Sequence, residues 1–141
     1  MTEDCCVSDG SIMILACSGG SNVGQLANQA AVELTQEGFG KFFCLAGVGA
    51  HLSGFVQSAK DVPNLVVIDG CGVGCAKGIL EHSAIPLKNY LVVTDLGIEK
   101  NKDFKLRNTD VQKLKDAVQS RCKMVGGQSV AGNAGPGKCC G

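Results

Sequence analysis

Leu65 to Cys75, with the sequence LVVIDGCGVGC, is the stretch that decides the fold. Its first four residues form an unbroken apolar run rich in β-branched side chains, which is typical of a strand buried on both faces of a parallel sheet. The three glycines after Asp69 allow a tight turn, and residues 76–83 (AKGILEHS) have the apolar spacing of a helix. Cys71 and Cys75 therefore lie where a strand turns into a helix. In open parallel sheets, ligands bind at this carboxyl edge.

Similar strand and helix patterns occur on both sides of this stretch. Apolar runs predict further strands at residues 12–16, 41–44 and 90–94, and apolar stripes predict helices at residues 25–36 and 110–125. Residues 51–60 are typical of a short helix or turn, whereas the glycine-containing segment before them is expected to be a loop. The pattern predicts a single α/β domain, three-layered and Rossmann-like, with a mostly parallel sheet of about four strands.

The domain is expected to span residues 11–125. Residues 1–10 are polar and show no periodicity, so we expect a flexible N-terminal arm. Residues 126–141 consist mostly of glycine and small residues, and we expect a flexible tail.

Composition restricts the classes of function. The 141-residue chain has zero net charge, one Tyr, five Phe and no Trp, so it has no overall basic charge and few of the stacking side chains of a nucleic-acid-binding protein. Its N-terminus is acidic and its first apolar run is too short for a signal peptide or a membrane span, which predicts a cytoplasmic protein without membrane contact. Nine cysteines in a reducing compartment favour metal binding or thiol chemistry.

The spacing of the cysteines predicts that several of them meet. Cys17, Cys44 and Cys71 each follow a predicted strand and are 27 residues apart, which is close to the length of one strand–helix unit. Parallel strands joined by right-handed crossovers end at the same edge of the sheet, so these thiols should share one crevice with Cys75. Four thiolates suit tetrahedral zinc, and nearby backbone amides and Lys77 would offset their charge. We therefore predict a zinc cofactor held by these four cysteines, in a protein with a structural or metal-trafficking role.

The same residues resemble a known family. IDGCGVGCAKGILE is similar to the central motif of the DGC-domain family, which is named after Asp69, Gly70 and Cys71. The resemblance extends over about residues 12–100, through ACSGGSNVGQLANQAA, CLAGVGAHLSGFVQSAK and VTDLGIEK. The family is described as zinc-binding, and the resemblance implies that its four proposed chelators correspond to Cys17, Cys44, Cys71 and Cys75. It implies no established activity.

Two alternatives use the same thiols, so the sequence leaves open whether the protein is an enzyme. Cys71 and Cys75 lie one helical turn apart, and a thiol oxidoreductase would use them as a disulfide pair. A zinc site with three thiols and an open fourth position would make a metal-dependent enzyme, with Asp69, Asp95 or His51 as the base. The oligomeric state also stays open.

Other polar residues have simpler interpretations. Asp69 is expected to accept amide hydrogen bonds and cap the turn. His51 and His82 are expected to lie at the surface or cap helices, and the Lys and Arg side chains of residues 100–123 are expected to form a solvated helix face.

Two cysteine pairs lie near the chain ends. Cys139 and Cys140 in the tail, and Cys5 and Cys6 in the arm, are poor structural disulfides because adjacent cysteines form a strained ring. The tail pair could instead chelate a soft ion and hand it to the four-cysteine site, or its thiols could be incidental.

Overall fold

A four-stranded parallel sheet forms the middle layer of the protein. The computed structural model describes residues 11–125. The strands are β1 (Ile12–Ala16), β2 (Lys41–Phe42), β3 (Asn64–Asp69) and β4 (Tyr90–Val92), in the spatial order β2-β1-β3-β4. All pairs are parallel, and β1 pairs with β3 along its whole length, from Ile12 opposite Asn64 to Ala16 opposite Ile68.

Five helices cover the two faces of this sheet. On one face lie α1 (Asn22–Gln36) and α5 (Asn108–Val125), and on the other lie α2 (Leu45–Gly49), α3 (Ser53–Asp61) and α4 (Cys75–His82). The prediction of a three-layer, Rossmann-like α/β domain is confirmed. None of the helices within residues 11–125 is long and apolar enough to cross a membrane.

Alternating side chains of the central strands fill two separate cores. Ile14 and Val66 point into the core under α1 and α5, whereas Leu15 and Val67 point into the core under the other three helices. All four side chains are fully buried. Burying an aliphatic side chain of this size contributes about 1.5–3 kcal/mol, so the central strands are apolar without interruption because each face needs its own core.

Several element boundaries differ from the sequence prediction, including that of β2, which ends at Phe42 and not at residue 44. Residues 45–49, expected to be a loop, form the short helix α2. The strand expected at 90–94 ends at Val92, because the Thr94 N–H donates to the Gly70 carbonyl at 3.2 Å and the chain turns into a 3₁₀ helix over Val93–Leu96. Helix α1 begins at Asn22, three residues before the predicted start, because the Ser21 hydroxyl caps it by accepting from Gly24 N–H at 3.2 Å.

The expectation of a solvated face on α5 is wrong for one lysine. Lys115 is buried, at 3% exposure, and its ammonium pairs with Glu33 at 3.3 Å and with Glu37. Both carboxylates lie on or next to α1, so this ion-pair network joins α5 to α1. The predicted arm and tail, with their cysteine pairs, lie outside the described residues.

Candidate functional site

The order of the strands creates a crevice between β1 and β3. The chain leaves β1 toward β2 on one side, and β3 lies on the other side of β1, so the loops after β1 and β3 diverge at the carboxyl edge of the sheet. This is the position at which doubly wound α/β proteins bind their ligands. A cavity of about 250 Å³ lies there, and Cys17, Cys71 and Cys75 contribute to its lining.

Glycine backbones bring the loop after β3 into direct contact with the first turn of α1. A Cβ atom on Gly70 would lie 2.6 Å from the Gly24 nitrogen in that turn, and one on Gly24 would lie 2.7 Å from the Gly19 nitrogen in the loop before it. Neither position has room for a side chain, because an unshifted Cβ essentially never lies within 3.0 Å of another heavy atom. The loop after β1, the first turn of α1 and the loop after β3 are therefore packed as one unit.

Asp69 fixes the start of α4 from the end of β3. Its carboxylate is 1% exposed and accepts from Ala76 N–H at 2.8 Å and Lys77 N–H at 3.0 Å. Tyr90 donates its hydroxyl to the same carboxylate at 2.7 Å. Burial raises the pKa of the Tyr90 phenol, and the neighbouring Asp69 carboxylate raises it further. The expectation that Asp69 caps the turn agrees with these bonds.

Cys17 lies directly after β1, and its backbone N–H continues the sheet by donating to Ile68 at 2.9 Å. The thiol is half-buried, and this burial raises its pKa. Hydrogen bonds from the backbone amides of Gly19 and Gly70 partly oppose that rise, while Asp69 and Cys75 add a small rise of their own. The amides reach the sulfur in the way expected from the glycine-rich loops, and they favour its ionised form.

Cys71 and Cys75 lie on the other wall of the cavity. Lys100 donates to the Cys71 sulfur at 3.3 Å, and Lys102 lines the same cavity while donating to the Gly20 carbonyl. Cys75 is the first residue of α4, follows Gly74 in the left-handed conformation (φ 71°), and is exposed. An ammonium thus lies beside the Cys71 sulfur, and Cys75 lies at a helix N-terminus.

Cys44 lies in a neighbouring cavity. It is exposed at the N-cap of α2, at the end of the outermost strand. The second cavity measures about 510 Å³ and includes Cys17, Cys44, Cys75 and Ile79 in its lining. Cys17 and Cys75 thus border both cavities, with Cys71 on one side of them and Cys44 on the other.

The predicted four-cysteine set is therefore gathered at one edge but is not arranged as a finished site. Among the described residues, no group of three or more His, Cys, Asp or Glu side chains has the arrangement of a metal site. The donors fit zinc in their chemistry, since all four are thiols and the amides of Gly19 and Gly70 with Lys100 would offset thiolate charge. Both exposed thiols, Cys44 and Cys75, project from helix starts where side-chain rotation is unhindered by burial.

The other residues predicted as catalytic bases lie in different settings. Asp95 is exposed in the 3₁₀ turn, where its charge contributes to the raised pKa of Tyr90. His51 lies against His82, at the opposite end of α4 from Cys75, with ring centroids 5.0 Å apart. These two histidines were expected to be independent surface residues, and only the packing of α2 on α4 brings them together.

The two lysines at the cavity are also functional candidates that the sequence interpretation missed. Lys100 and Lys102 precede α5 instead of lying on its solvated face. Their segment is held at the cavity by Asn22, which accepts from Asn101 N–H at 2.6 Å and donates its side-chain amide to the Glu99 carbonyl at 2.7 Å. No local sequence pattern predicts such a contact, because it joins residues about 80 positions apart. The positive charge that the sequence interpretation expected from Lys77 is supplied beside the Cys71 sulfur by Lys100.

These features define a class: a Rossmann-like α/β protein with a thiol-lined cavity at the switch point of its sheet. The family profile of the DGC domain matches residues 13–118, so the chain belongs to the DGC-domain family. It is 33% identical over 103 residues to the anaerobic and virulence modulator AnvM of Pseudomonas aeruginosa. The aligned residues make up 72% of this chain and 78% of that protein. No solved structure matches the chain significantly.

Proposed function

We propose that the protein binds a soft or borderline metal ion such as zinc through Cys17, Cys71 and Cys75, with Cys44 as the fourth ligand. The observation that carries the proposal is the shared position of Cys17 and Cys75 between two adjoining cavities. Each of the other two thiols lines one of those cavities. Binding of one ion would then draw the four sulfurs together from the two cavities.

The electrostatics of the cavity support an ion that displaces protons. Burial raises the pKa of Cys17, so its thiol holds a proton at neutral pH when no metal is present. A metal ion binds the thiolate, and binding therefore releases that proton. Lys100 and the backbone amides would limit the excess negative charge of a multi-thiolate site.

The role that we propose is structural or metal-trafficking. Two of the four donors are exposed, which suits an ion that enters and leaves. The relative is named as a modulator, and such a name fits a thiol site that responds to its metal load.

Metal content of serine variants tests this function. All variants carry serine in place of the four terminal cysteines (Cys5, Cys6, Cys139 and Cys140), so that only the domain is measured. Cys75→Ser should lose the stoichiometric zinc and lower the melting temperature, because metal binding is coupled to folding. Cys122→Ser is the matched control, since Cys122 is half-buried in the core under α5 and should retain the metal.

Cobalt substitution separates three ligands from four. The sulfur-to-cobalt absorption of Cys44→Ser should fall by about a quarter, because one of four thiolates is lost. Unchanged zinc in Cys75→Ser and Cys71→Ser would refute the metal site.

A second candidate function is favoured by the Lys100 contact. The Cys71 sulfur accepts from the Lys100 ammonium at 3.3 Å, and reactive cysteines of thiol oxidoreductases have basic neighbours of this kind. Cys71 and Cys75 would give two electrons and two protons to a small disulfide, which leaves as two thiols, while the protein gains one disulfide. A metal-free protein that cycles reversibly between these states would favour this function, and protected cysteines with bound zinc would favour the first.

A further inference from the structure

A seam between α2 and α4 connects the thiol region to the histidine pair. Cys75, Ile79 and His82 lie at helical spacing on one side of α4. A Cβ atom on Gly49, the last residue of α2, would lie 3.3 Å from Ile79 Cδ1, so the two helices are in close contact there. His51 follows α2 and meets His82 at the far end of this seam. The pair is about 10 Å along α4 from Cys75, outside both thiol-lined cavities.

The distance between the two imidazoles equals the distance expected for rings that share one metal ion. Their centroids are 5.0 Å apart and their planes are inclined by 50°. An ion bonded to one nitrogen of each ring at about 2.0–2.1 Å, in tetrahedral geometry, places the ring centroids roughly 5 Å apart. Tilted aromatic packing gives a similar distance, but it does not make the two rings respond together to a metal ion.

The surroundings leave a nitrogen of His51 free to bind. Ser83 Oγ lies 3.5 Å from His51 Nδ1, and Ser83 is buried while both histidines are exposed. Ligating histidines characteristically have one ring nitrogen against a fixed polar group, which orients the other nitrogen toward the ion. With Nδ1 next to Ser83, Nε2 is the nitrogen of His51 that we assign to the metal ion.

We propose that His51 and His82 form a second metal site, for a borderline divalent ion such as Zn²⁺, Ni²⁺ or Cu²⁺. Imidazole nitrogen is a preferred ligand of these ions. No third His, Cys, Asp or Glu within residues 11–125 completes the pair, so water fills the remaining positions. The site is therefore open and exchangeable, and it is chemically distinct from the thiol site.

The chain contains two histidines, so their ring proton NMR signals report on this site without overlap. Zinc is added to the reduced full chain beyond the point at which thiolate-to-zinc absorption stops rising. Both histidine signals should then shift with one shared midpoint. In His82→Gln, the zinc concentration at the midpoint of the His51 signal shift should rise about 100-fold. Without His82, the ion no longer gains from a second ligand held close to the first.

Two further variants sharpen the result. His51→Gln should weaken the response of His82 equally, and Ser83→Ala should weaken both by about tenfold through loss of orientation. Glu81→Gln is the matched control beside His82 on the exposed surface of α4 and should leave both midpoints unchanged. The thiolate absorption should be the same in all variants, which shows that they fold and that the thiol site is not involved.

Three outcomes would overturn the histidine site. The two signals could shift at different zinc concentrations, His51 could keep its midpoint in His82→Gln, or neither signal could respond to zinc in excess over every thiol. Because the readouts are separate, loss of the thiolate absorption would count against the four-cysteine proposal alone.

Discussion

The loops after β1 and β3 differ from the junction after β2 in how firmly their backbones are held. The loop after β3 touches the first turn of α1 through Gly70 and Gly24, and Asp69 anchors the helix that follows β3. At the other junction, β2 has only two residues, and Cys44, the N-cap of α2, makes no side-chain capping bond. The difference teaches that the carboxyl edge of this sheet combines a rigid centre with a weakly held margin. Cys17 and Cys71 belong to the centre, and Cys44 belongs to the margin.

The largest expected effect tests the contact at the centre. Gly70→Ala should destabilise the domain by about 3 kcal/mol, because the new methyl group would meet backbone atoms of Val23 and Gly24 in the first turn of α1, which cannot rotate away. Gly72→Ala is the matched control, since a Cβ there meets nothing within 4 Å. Urea unfolding of the two variants measures the difference. Equal urea midpoints for the two variants would show that the loop after β3 is not held against the first turn of α1.

A smaller effect is expected from the buried carboxylate. Asp69→Asn should cost about 2–3 kcal/mol, because one of its two charge-assisted bonds to α4 becomes a contact between two donors. Asp95→Asn, in the 3₁₀ turn after β4 and exposed, should change stability by less than about 0.5 kcal/mol. Thermal unfolding compares them, and a similar loss in both variants would contradict the anchoring role of Asp69.

The smallest effect concerns thiol reactivity in metal-free protein. At pH 8 the exposed Cys44 should be alkylated before Cys17, because burial raises the pKa of Cys17 and leaves less thiolate. As the pH rises toward and through the raised pKa, Cys17 gains thiolate and its lag should shrink. Timed alkylation followed by peptide mass spectrometry measures both rates.

Cys122 supplies the control for this comparison. Burial raises its pKa as well, although it lies outside the cavities, so it should lag in the same way. If Cys17 and Cys44 were alkylated at equal rates at pH 8, the thiol in the centre would be as accessible and as readily ionised as the thiol at the margin.

Much of the fold could be predicted because the central strands are apolar on both faces. The run at residues 65–68 has one simple interpretation, and the structure extends it by only one residue at each end. Helix α2 was missed because its five residues, LAGVG, include two glycines and are too few to show a helical period. The end of β4 depends on a bond from Thr94 to Gly70, which a local pattern cannot reveal.

The site was harder to predict because equal spacing along the chain does not mean equal spacing in space. Cys17, Cys44 and Cys71 are separated by the same number of residues, but β2 is at the edge of the sheet and β1 lies between it and β3. With strands about 4.8 Å apart, the ends of β2 and β3 are separated by roughly 10 Å. Predicting the distances therefore required the strand order, which the repeat does not contain.

The contact between Gly24 and Gly70 has a consequence for protein engineering. The loop after β3 and the first turn of α1 pack directly against each other. Transplanting only one of these segments into a different Rossmann-like scaffold would therefore leave it without the backbone that it packs against. A donor cassette must carry residues 17–24 and 69–76 together, and it would bring to the host three thiols that line one cavity.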